Sequence, residues 1–372
     1  MAYEIDFIGV SEEEAKKDAD AIAFRWSENT PYSNRWKVVV YDGGLTAHGK
    51  ALVSLLCRHY FYGVYNKVID AVILSHGDQD HAVGLKEVLN SFQVKALYMN
   101  RPWLYKDILY KYIKDKRITK ESLERRLKES FPYIYDLEVL AKQKGIPIYP
   151  AFQGDKIEGR VTVLSPSLSF YLQEIAEAVE YLEEKRMNQS LGLLQKLADS
   201  LRTIVNSVSE YWYKDSLRED VTTSPVNEAS TIIFGEMRDA NILLVGDAGI
   251  KALDKAIVYA KNTMHKPLDV CVNFMQIPHH GGRHNVSPSI LDRLVGPIVS
   301  SQEMGDRVAY VSAAENSDHP YKMVVNGYVR RGVHVYKTSG KSIWRHCNTP
   351  AREDYSMIEE EKFSYQVEEW ND

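Results

Sequence analysis

The chain has 372 residues, a formal net charge of −5 at pH 7 and three cysteines. Its slight acidity excludes an overall basic surface for nucleic acid, although a local basic face or a bound metal could still hold phosphate. The cysteines are too few and too far apart for a disulfide framework or a Cys-x-x-Cys metal clamp. No secretory leader or apolar membrane span is visible, so the sequence predicts a cytoplasmic protein without membrane contact.

The hydrophobic pattern predicts an α/β fold, because strand and helix signals alternate along the chain. Strands are predicted at residues 3–10, 21–26, 36–41, 68–74 and 94–99, and helices at residues 46–60 and 82–92. Further strands are predicted at residues 231–234, 242–245, 270–277, 308–312 and 333–338. Residues 1–349 are interpreted as one domain with a largely helical insertion at about 102–222, which includes strands at 146–151 and 161–164. An acidic C-terminal tail over residues 350–372 follows.

The strongest chemical signal directly follows the predicted strand 68–74 and reads Ser-His-Gly-Asp-Gln-Asp-His, residues 75–81. His76, Asp78, Asp80 and His81 are four potential metal ligands at the end of a buried strand, where unpaired charges would be costly. Imidazole and carboxylate together suit Zn²⁺, Mn²⁺ or Fe²⁺, and the carboxylates favour the harder ions. The alternative is a polar turn in which Asp80 caps the next helix, but a cap does not account for the other three residues.

Two later strands also end in potential ligands. Residues 243–247 form an apolar strand that ends at Asp247, and residues 274–278 lead into His279 and His280. Each motif alone is weak, because an aspartate at a strand end is common and a histidine pair can cap a helix. Three strand ends that present ligands are far more specific, and they predict a metal site.

Together these motifs resemble the metallo-β-lactamase superfamily, and more narrowly the hydrolase domain of the DNA-uptake competence protein ComEC and its free-standing relatives. That branch has an aspartate where most of the superfamily has the second histidine of the first motif, as at Asp78. Further matches are Asp42-Gly43-Gly44, Asn227-x-x-Ser230 and His319-Pro320. The resemblance covers roughly residues 1–100 and 225–345, and it implies a four-layered αββα sandwich.

The resemblance implies two divalent metal ions, Zn²⁺ or Mn²⁺, and six ligands: His76, Asp78, Asp80, His81, Asp247 and His279. His76 and Asp78 would bind the first ion, and Asp247 would bridge both ions. Asp80, His81 and His279 would bind the second ion. The histidine that usually forms the third motif is missing, because no histidine lies between His81 and Asp247. The sequence does not decide whether His279 or its neighbour His280 is the ligand.

Two metal ions lower the pKa of a bridging water, so that hydroxide is available near neutral pH. The resemblance implies that Asp80 orients this metal-bridged hydroxide, and that His319 stabilises developing charge or protonates the leaving oxygen. The alternative for His319 is a helix-start histidine beside a proline. His280, Arg283 and His284 are further candidates for contacting an anionic substrate, although such residues are often solvated loop positions.

The relatives imply a metal-dependent nuclease or phosphodiesterase, with nucleic acid as substrate, and a bacterial anti-phage defence effector as one role. A hydrolase of a small ester, lactone or thioester is one alternative. Another is a non-catalytic binding protein in which the metal has a structural role. The basic run at 111–128 could attract phosphates, but its interleaved acidic residues favour a solvated helix. Helical spacing at 170–212 indicates a helix pair, or else a lid or a surface for a homodimer or protein partner.

Overall fold

A computed structural model describes residues 2–11, 13–30, 33–114, 118–191, 207–237, 240–301, 303–355 and 358–370. The strands in chain order are β1 (Tyr3–Phe7), β2 (Ala21–Thr30), β3 (Ser33–Gly43), β4 (Val68–Ile69), β5 (Ala71–Ile73), β6 (Gln93–Val94), β7 (Leu97–Tyr98), β8 (Ile148–Tyr149), β9 (Lys156–Ile157), β10 (Val161–Ser165), β11 (Ser207–Ser209), β12 (Ile232–Glu236), β13 (Asn241–Leu244), β14 (Phe274–Gln276), β15 (Arg307–Val311), β16 (Val333–Lys337), β17 (Ile343–Cys347) and β18 (Gln366–Glu368).

The helices in chain order are α1 (Thr46–Leu55), α2 (Gln79–Ala82), α3 (Leu85–Ser91), α4 (Lys106–Leu109), α5 (Lys120–Ser130), α6 (Pro132–Gln143), α7 (Leu168–Leu191), α8 (Pro225–Glu228), α9 (Ile250–Asn262), α10 (Leu268–Cys271), α11 (Pro288–Val295) and α12 (Lys322–Val329). A π-helical turn, Leu56–Tyr60, continues α1, which accounts for the predicted helix 46–60. Among the described residues, no helix has both the length and the apolar character that a membrane span requires.

Most strands belong to two seven-stranded sheets. The first has the order β17-β1-β2-β3-β5-β7-β8, and the second has the order β16-β15-β14-β13-β12-β10-β9. Within the first sheet β3, β5 and β7 are parallel. Within the second, β13, β14 and β15 are parallel. Parallel strands end at the same edge of their sheet, so each sheet gathers its strand-end loops on one side.

The two sheets pack face to face between two layers of helices. Phe7 of the first sheet contacts Phe274 and Tyr310 of the second edge-on, with ring centroids 5.9 and 5.5 Å apart. The outer face of the first sheet packs on α1, α3, α6 and α7, and that of the second packs on α9, α11 and α12. The prediction of a four-layered αββα sandwich is therefore confirmed.

The predicted insertion is built into both sheets. Its two predicted strands are present as β8 and β10, which extend the first and the second sheet respectively. Helices α5, α6 and the beginning of α7 contribute buried residues to the helix layer on the first sheet. The domain bounds stay a prediction. Predicted features that lie outside the described residues are Lys116, Arg117, Leu194, Leu197, Leu201 and Ile204.

Basic side chains of the run at 111–128 form ion pairs with acidic residues of the insertion. Lys128 Nζ lies 2.8 Å from Glu124 Oε1, one helical turn away. Arg125 and Glu129 face each other in the same way at 3.9 Å. These pairs favour the solvated, ion-paired helix over a dedicated phosphate-binding face.

The predicted strands 68–74 and 270–277 are among those that differ from the structure. The strand 68–74 is interrupted at Asp70, whose buried carboxylate accepts a hydrogen bond from Val38 N and lies 2.5 Å from Lys95 Nζ. A buried charge needs such partners. The strand is broken between β4 and β5, and Asp70 contacts these partners at the break. The strand 270–277 is shorter than predicted, because Pro267 precedes the helical turn α10.

The described residues of the predicted acidic tail pack on the domain. Arg352 Nη1 lies 2.7 Å from Asp6 Oδ1, beside the first sheet. Strand β18 pairs with β11, and Trp370 Nε1 donates to Ser216 O at 2.8 Å. The segment therefore covers part of the domain surface near its second helix layer.

Candidate metal centre

The predicted ligands lie where strands of the two sheets end. The loop after β5 carries His76 to His81, the loop after β13 carries Asp247, and the loop after β14 carries His279 and His280. The loops approach closely because Gly246 has a φ of +54°, and a Cβ at this position would lie 2.8 Å from Ser75 Cβ. Only glycine fits such a contact, so the glycine before Asp247 brings the two sheets' ligands together.

The innermost groups are two imidazoles around one carboxylate. His81 Nε2 lies 3.2 Å from Asp247 Oδ1, and His76 Nε2 lies 3.7 Å from Asp247 Oδ2. All three side chains are buried, yet both of these nitrogens and Asp247 Oδ1 lack a hydrogen-bond partner among the described residues. Buried polar atoms are normally paired, so atoms that face each other unpaired fit a divalent cation between them.

Asp78 and Asp80 lie at the rim of this group. Asp78 Oδ2 is 3.7 Å from His76 Nε2, and its side chain is about half exposed. Asp80 Oδ2 is 4.0 Å from His81 Nε2, and its side chain is 31% exposed. The structure therefore brings the four residues of the first motif to one place, with the imidazoles inside and the carboxylates toward solvent.

The two consecutive histidines reach the group from different sides. Both have a positive φ, 48° for His279 and 56° for His280. His279 Nδ1 lies 2.5 Å from Asp247 Oδ2, next to Asn227 Nδ2 at 3.2 Å. His280 is buried, its Nδ1 donates to Ser312 O, and its Nε2 lies 3.4 Å from Asp80 Oδ2. Both rings are thus candidates for metal ligation, and His280 is buried rather than a solvated loop position.

Asp42 fixes the orientation of His81. Its Oδ2 lies 2.9 Å from His81 Nδ1 and accepts the Ser75 hydroxyl at 2.6 Å, while its Oδ1 accepts Ser75 N at 2.7 Å. In the neutral imidazole that metal binding requires, an Nδ1–H that donates to this carboxylate leaves Nε2 unprotonated and directed at Asp247. The sequence singled out Asp42 through the Asp-Gly-Gly turn but assigned no role to it.

Two residues beside the centre have no motif in the sequence. Asp20 precedes β2, is 1% exposed, and offers one oxygen to a group that also includes His81, Asp247 and His280. The four ligand atoms of this group all lie within 4.8 Å of one another. His48 in α1 is also buried, and burial together with nearby His280 lowers its pKa to about 4. A single aspartate before a strand and a single histidine on a helix are too common to be noticed in a sequence.

Three buried groups of the centre, His81, His280 and Asp247, have pKa values that their neighbours shift toward the charged form. Burial alone lowers the pKa of His81, but Asp247 and Asp42 outweigh it and raise the pKa well above the usual value. Burial likewise lowers the pKa of His280, whereas Asp80, Asp20 and Asp247 raise it to about 10. Burial raises the pKa of Asp247, but His81 and His279 hold it well below its ordinary range. The metal-free centre is therefore a cluster of imidazolium–carboxylate pairs.

His319 lies next to the histidine pair. Its ring centroid is 6.4 Å from those of both His279 and His280. Its Nδ1 lies 2.8 Å from Asp18 Oδ2, and Asp18 also accepts hydrogen bonds from Ala314 N and Ser317 Oγ. Asp18 thus holds the ring by one nitrogen and leaves Nε2 as the nitrogen able to act on a substrate.

An open cleft of about 630 Å³ adjoins these residues, with Asp78, His279 and His319 in its wall. Arg283 and His284 also line it. The Arg283 guanidinium lies 4.6 Å from the Trp370 ring centroid and 5.1 Å from that of Tyr321, and it donates to Glu369 O. The C-terminal segment therefore fixes Arg283 in the cleft wall.

Within the described residues, an apolar cavity of about 20 Å³ lies on the other side of His76. The insertion contributes Phe131, Ile134, Tyr171 and Ile175 to its lining. A volume of this size holds about one water molecule. The insertion therefore packs behind the centre here and leaves no room for an acyl chain in this cavity.

The family model described as Metallo-beta-lactamase superfamily matches residues 36–141. The matched stretch includes β5 and the loop from His76 to His81. The match covers less than a third of the chain and contains the first of the three predicted ligand motifs. No curated protein sequence matches the chain.

Several solved structures are similar to this chain. The crystal structure of a new diphosphatase from the PhnP family has 12% identity and a TM-score of 0.39, over 93% of this chain and 98% of that one. Zn(2+)-bound PqqB from Methylobacterium extorquens has 11% identity and a TM-score of 0.38, over 91% and 99%. AidC, a dizinc quorum-quenching lactonase, has 12% identity and a TM-score of 0.28, over 69% and 71%. The substrate of this chain has to be inferred from the chemistry of its own site.

Proposed function

We propose that this protein is a metal-dependent hydrolase that cleaves phosphodiester bonds, with nucleic acid as its substrate. The ligands of two divalent ions, Zn²⁺ or Mn²⁺, would be His76, Asp78, Asp80, His81, Asp247 and His279. The observation that carries the proposal is the set of buried, unpaired atoms of His76, His81 and Asp247 that face one another beside an open cleft. The motif's resemblance to the ComEC hydrolase domain supports the nuclease assignment.

Residues around the ions have separate tasks in the proposed reaction. The ions would supply a nucleophile from water at neutral pH and polarise the substrate oxygen. His280 and His81 hold the pKa of Asp80 below its usual value against the effect of burial, so the carboxylate is ionised and can accept a hydrogen bond from the attacking water. His319, held by Asp18, would donate a proton to the leaving oxygen.

The shape of the site favours an extended anionic substrate over a small ester. The 630 Å³ cleft is open and carries Arg283 and His319, two groups suited to a phosphate. The apolar cavity beside His76, at about 20 Å³, is too small for the acyl part of an ester or lactone. A role as a bacterial defence effector stays a prediction, as does a homodimer or protein partner bound through the insertion.

The test is hydrolysis of single- and double-stranded DNA and RNA by the purified protein with Mn²⁺, Zn²⁺ or Mg²⁺, beside aryl-ester and lactone substrates. The Asp80→Ala variant is the control for a contaminating nuclease. Cleavage of nucleic acid that needs metal and is lost in the variant would support the proposal. Turnover of the esters alone would replace it with the small-ester alternative, and metal binding without any turnover would favour a non-catalytic binding protein.

Trp370→Leu is expected to raise KM for the nucleic-acid substrate about 2- to 30-fold with little change in kcat. A cation–π contact contributes about 0.5–2 kcal/mol, and here it fixes Arg283 rather than the reacting groups. Steady-state kinetics measure the effect. Tyr365→Leu, in the same C-terminal segment but 66% exposed, is the matched control and should keep the wild-type KM. Equal KM values for wild type and Trp370→Leu would show that the position of Arg283 does not contribute to substrate binding.

Asp42→Asn is expected to weaken metal binding about 10- to 100-fold, as is typical when a residue that orients a ligand is lost. The asparagine amide would donate where the carboxylate now accepts, so His81 Nδ1 would lose its proton and Nε2 would carry it. A protonated Nε2 cannot bind metal. Titration of the metal-free protein with Mn²⁺ or Zn²⁺ measures the affinity. Wild-type affinity in this variant would show that Asp42 does not set the His81 tautomer.

A further inference from the structure

Asp20 is a buried carboxylate that faces the buried imidazole of His280, whose Nδ1 lies 3.8 Å from Asp20 Oδ2. It is 1% exposed, and neither of its carboxylate oxygens has a hydrogen-bond partner among the described residues. Its main chain is tied to the centre, because Asp20 N donates to Asp80 O at 3.1 Å. An ionised carboxylate in such a place is costly unless a cation neutralises it.

The surroundings of Asp20 are those of a metal ligand. One of its oxygens belongs to the group in which ligand atoms of Asp20, His81, Asp247 and His280 all lie within 4.8 Å of one another. Two carboxylates and two imidazoles provide the four ligands of a tetrahedral transition-metal site. All four side chains are buried, so water cannot easily take the place of a missing ligand.

We propose that Asp20 is a metal ligand, delivered to the centre by the loop before β2. Its partners at the ion are His81, Asp247 and His280. The inference rests on the proposed metal centre and adds a ligand from outside the three strand-end motifs. It also gives the centre a further carboxylate ligand. The chain has no histidine between His81 and Asp247 that could serve as the third-motif ligand.

Asp18 offers a matched control two residues away. It lies in the same loop, but its oxygens are occupied by Ala314 N, Ser317 Oγ and His319 Nδ1. The experiment compares wild type, Asp20→Asn and Asp18→Asn, each stripped of metal. Metal stoichiometry and affinity are measured with Mn²⁺ and Zn²⁺, Co²⁺ absorption reports the coordination, and thermal unfolding is followed with and without metal.

We expect Asp20→Asn to lose one bound ion or at least about tenfold in affinity for it, with a changed Co²⁺ spectrum. The metal-free variant should unfold close to the wild-type temperature, because asparagine keeps the size of the side chain and Asp20 Oδ2, at 3.8 Å from His280 Nδ1, makes no hydrogen bond that would be lost. Asp18→Asn should keep the wild-type stoichiometry and Co²⁺ spectrum.

Two results would overturn the inference. Wild-type stoichiometry, affinity and Co²⁺ spectrum in Asp20→Asn would show that the carboxylate is not a ligand. A lower unfolding temperature of the metal-free variant, together with equal weakening at both ions, would show a structural role instead. If either result is obtained while wild type binds metal and hydrolyses its substrate, only this inference fails and the proposed function stands. If wild type binds no metal, the proposed function fails with it.

Discussion

Asp247→Asn is expected to lower phosphodiester hydrolysis on the order of 10³-fold or more while the protein remains folded. The two oxygens of Asp247 face His81 Nε2 at 3.2 Å and His76 Nε2 at 3.7 Å, so this carboxylate has the position of a bridge between two ions. An amide has nearly the same size but replaces one oxygen ligand by a donor, which repels a cation. Loss of the ions removes both the nucleophile and the polarisation of the substrate.

The measurement is kcat/KM of the variant with metal in excess, beside metal content and the unfolding temperature. Asp254→Asn is the control, because Asp254 lies on helix α9 and its exposed carboxylate pairs with Arg293, outside the centre. That variant should keep full activity. An Asp247→Asn protein that binds both ions and retains activity within about tenfold of wild type would refute the bridging role.

The predicted site residues that are most easily grouped from the sequence are those that lie side by side in one motif. His76, Asp78, Asp80 and His81 lie within one turn after a buried strand, so their proximity needs no knowledge of the fold. Asp247 requires one further step, that its strand ends on the same side as β5. That step rests on the resemblance of the combined motifs to the superfamily, because β5 and β13 belong to different sheets.

Other residues of the centre depend on tertiary contacts that no pattern encodes. Asp20 precedes β2, and it reaches the centre because β2 pairs with β3 and β3 pairs with β5. His280 differs from His279 only by one position, and the left-handed turn that separates their environments is a property of the folded loop. The sequence therefore groups the residues of its motifs, but it does not indicate the position of Asp20 or the different environments of His279 and His280.

The described residues of the predicted acidic tail are likewise held by contacts that the sequence does not reveal. Arg352 forms an ion pair with Asp6 beside β1, and Glu368 Oε1 accepts a hydrogen bond from Lys322 N at the start of α12. Partners that are distant in sequence neutralise these charges. A charged segment with a few aromatic residues can thus be part of the folded domain, and here Trp370 reaches the cleft wall.

Metal binding is expected to release protons and to strengthen about tenfold per pH unit for each proton displaced. Asp80, Asp20 and Asp247 raise the pKa of His280 to about 10, and Asp247 and Asp42 raise that of His81 well above its usual value. Both imidazoles are therefore protonated in the metal-free protein at neutral pH. A ligating nitrogen must lose its proton, so a higher pH favours binding. With two protons displaced, the affinity should rise about 10⁴-fold between pH 6 and pH 8.

Calorimetric titration in two buffers of different ionisation enthalpy counts the protons released per ion. His280→Gln should release one proton fewer than wild type. His48→Gln is the matched control, because burial and nearby His280 lower the pKa of His48 to about 4, so this histidine is already neutral. The control should leave the proton count unchanged. An affinity independent of pH, with no proton released by wild type, would mean that these histidines do not bind the ion, because displacing their protons is the step that links ligation to pH.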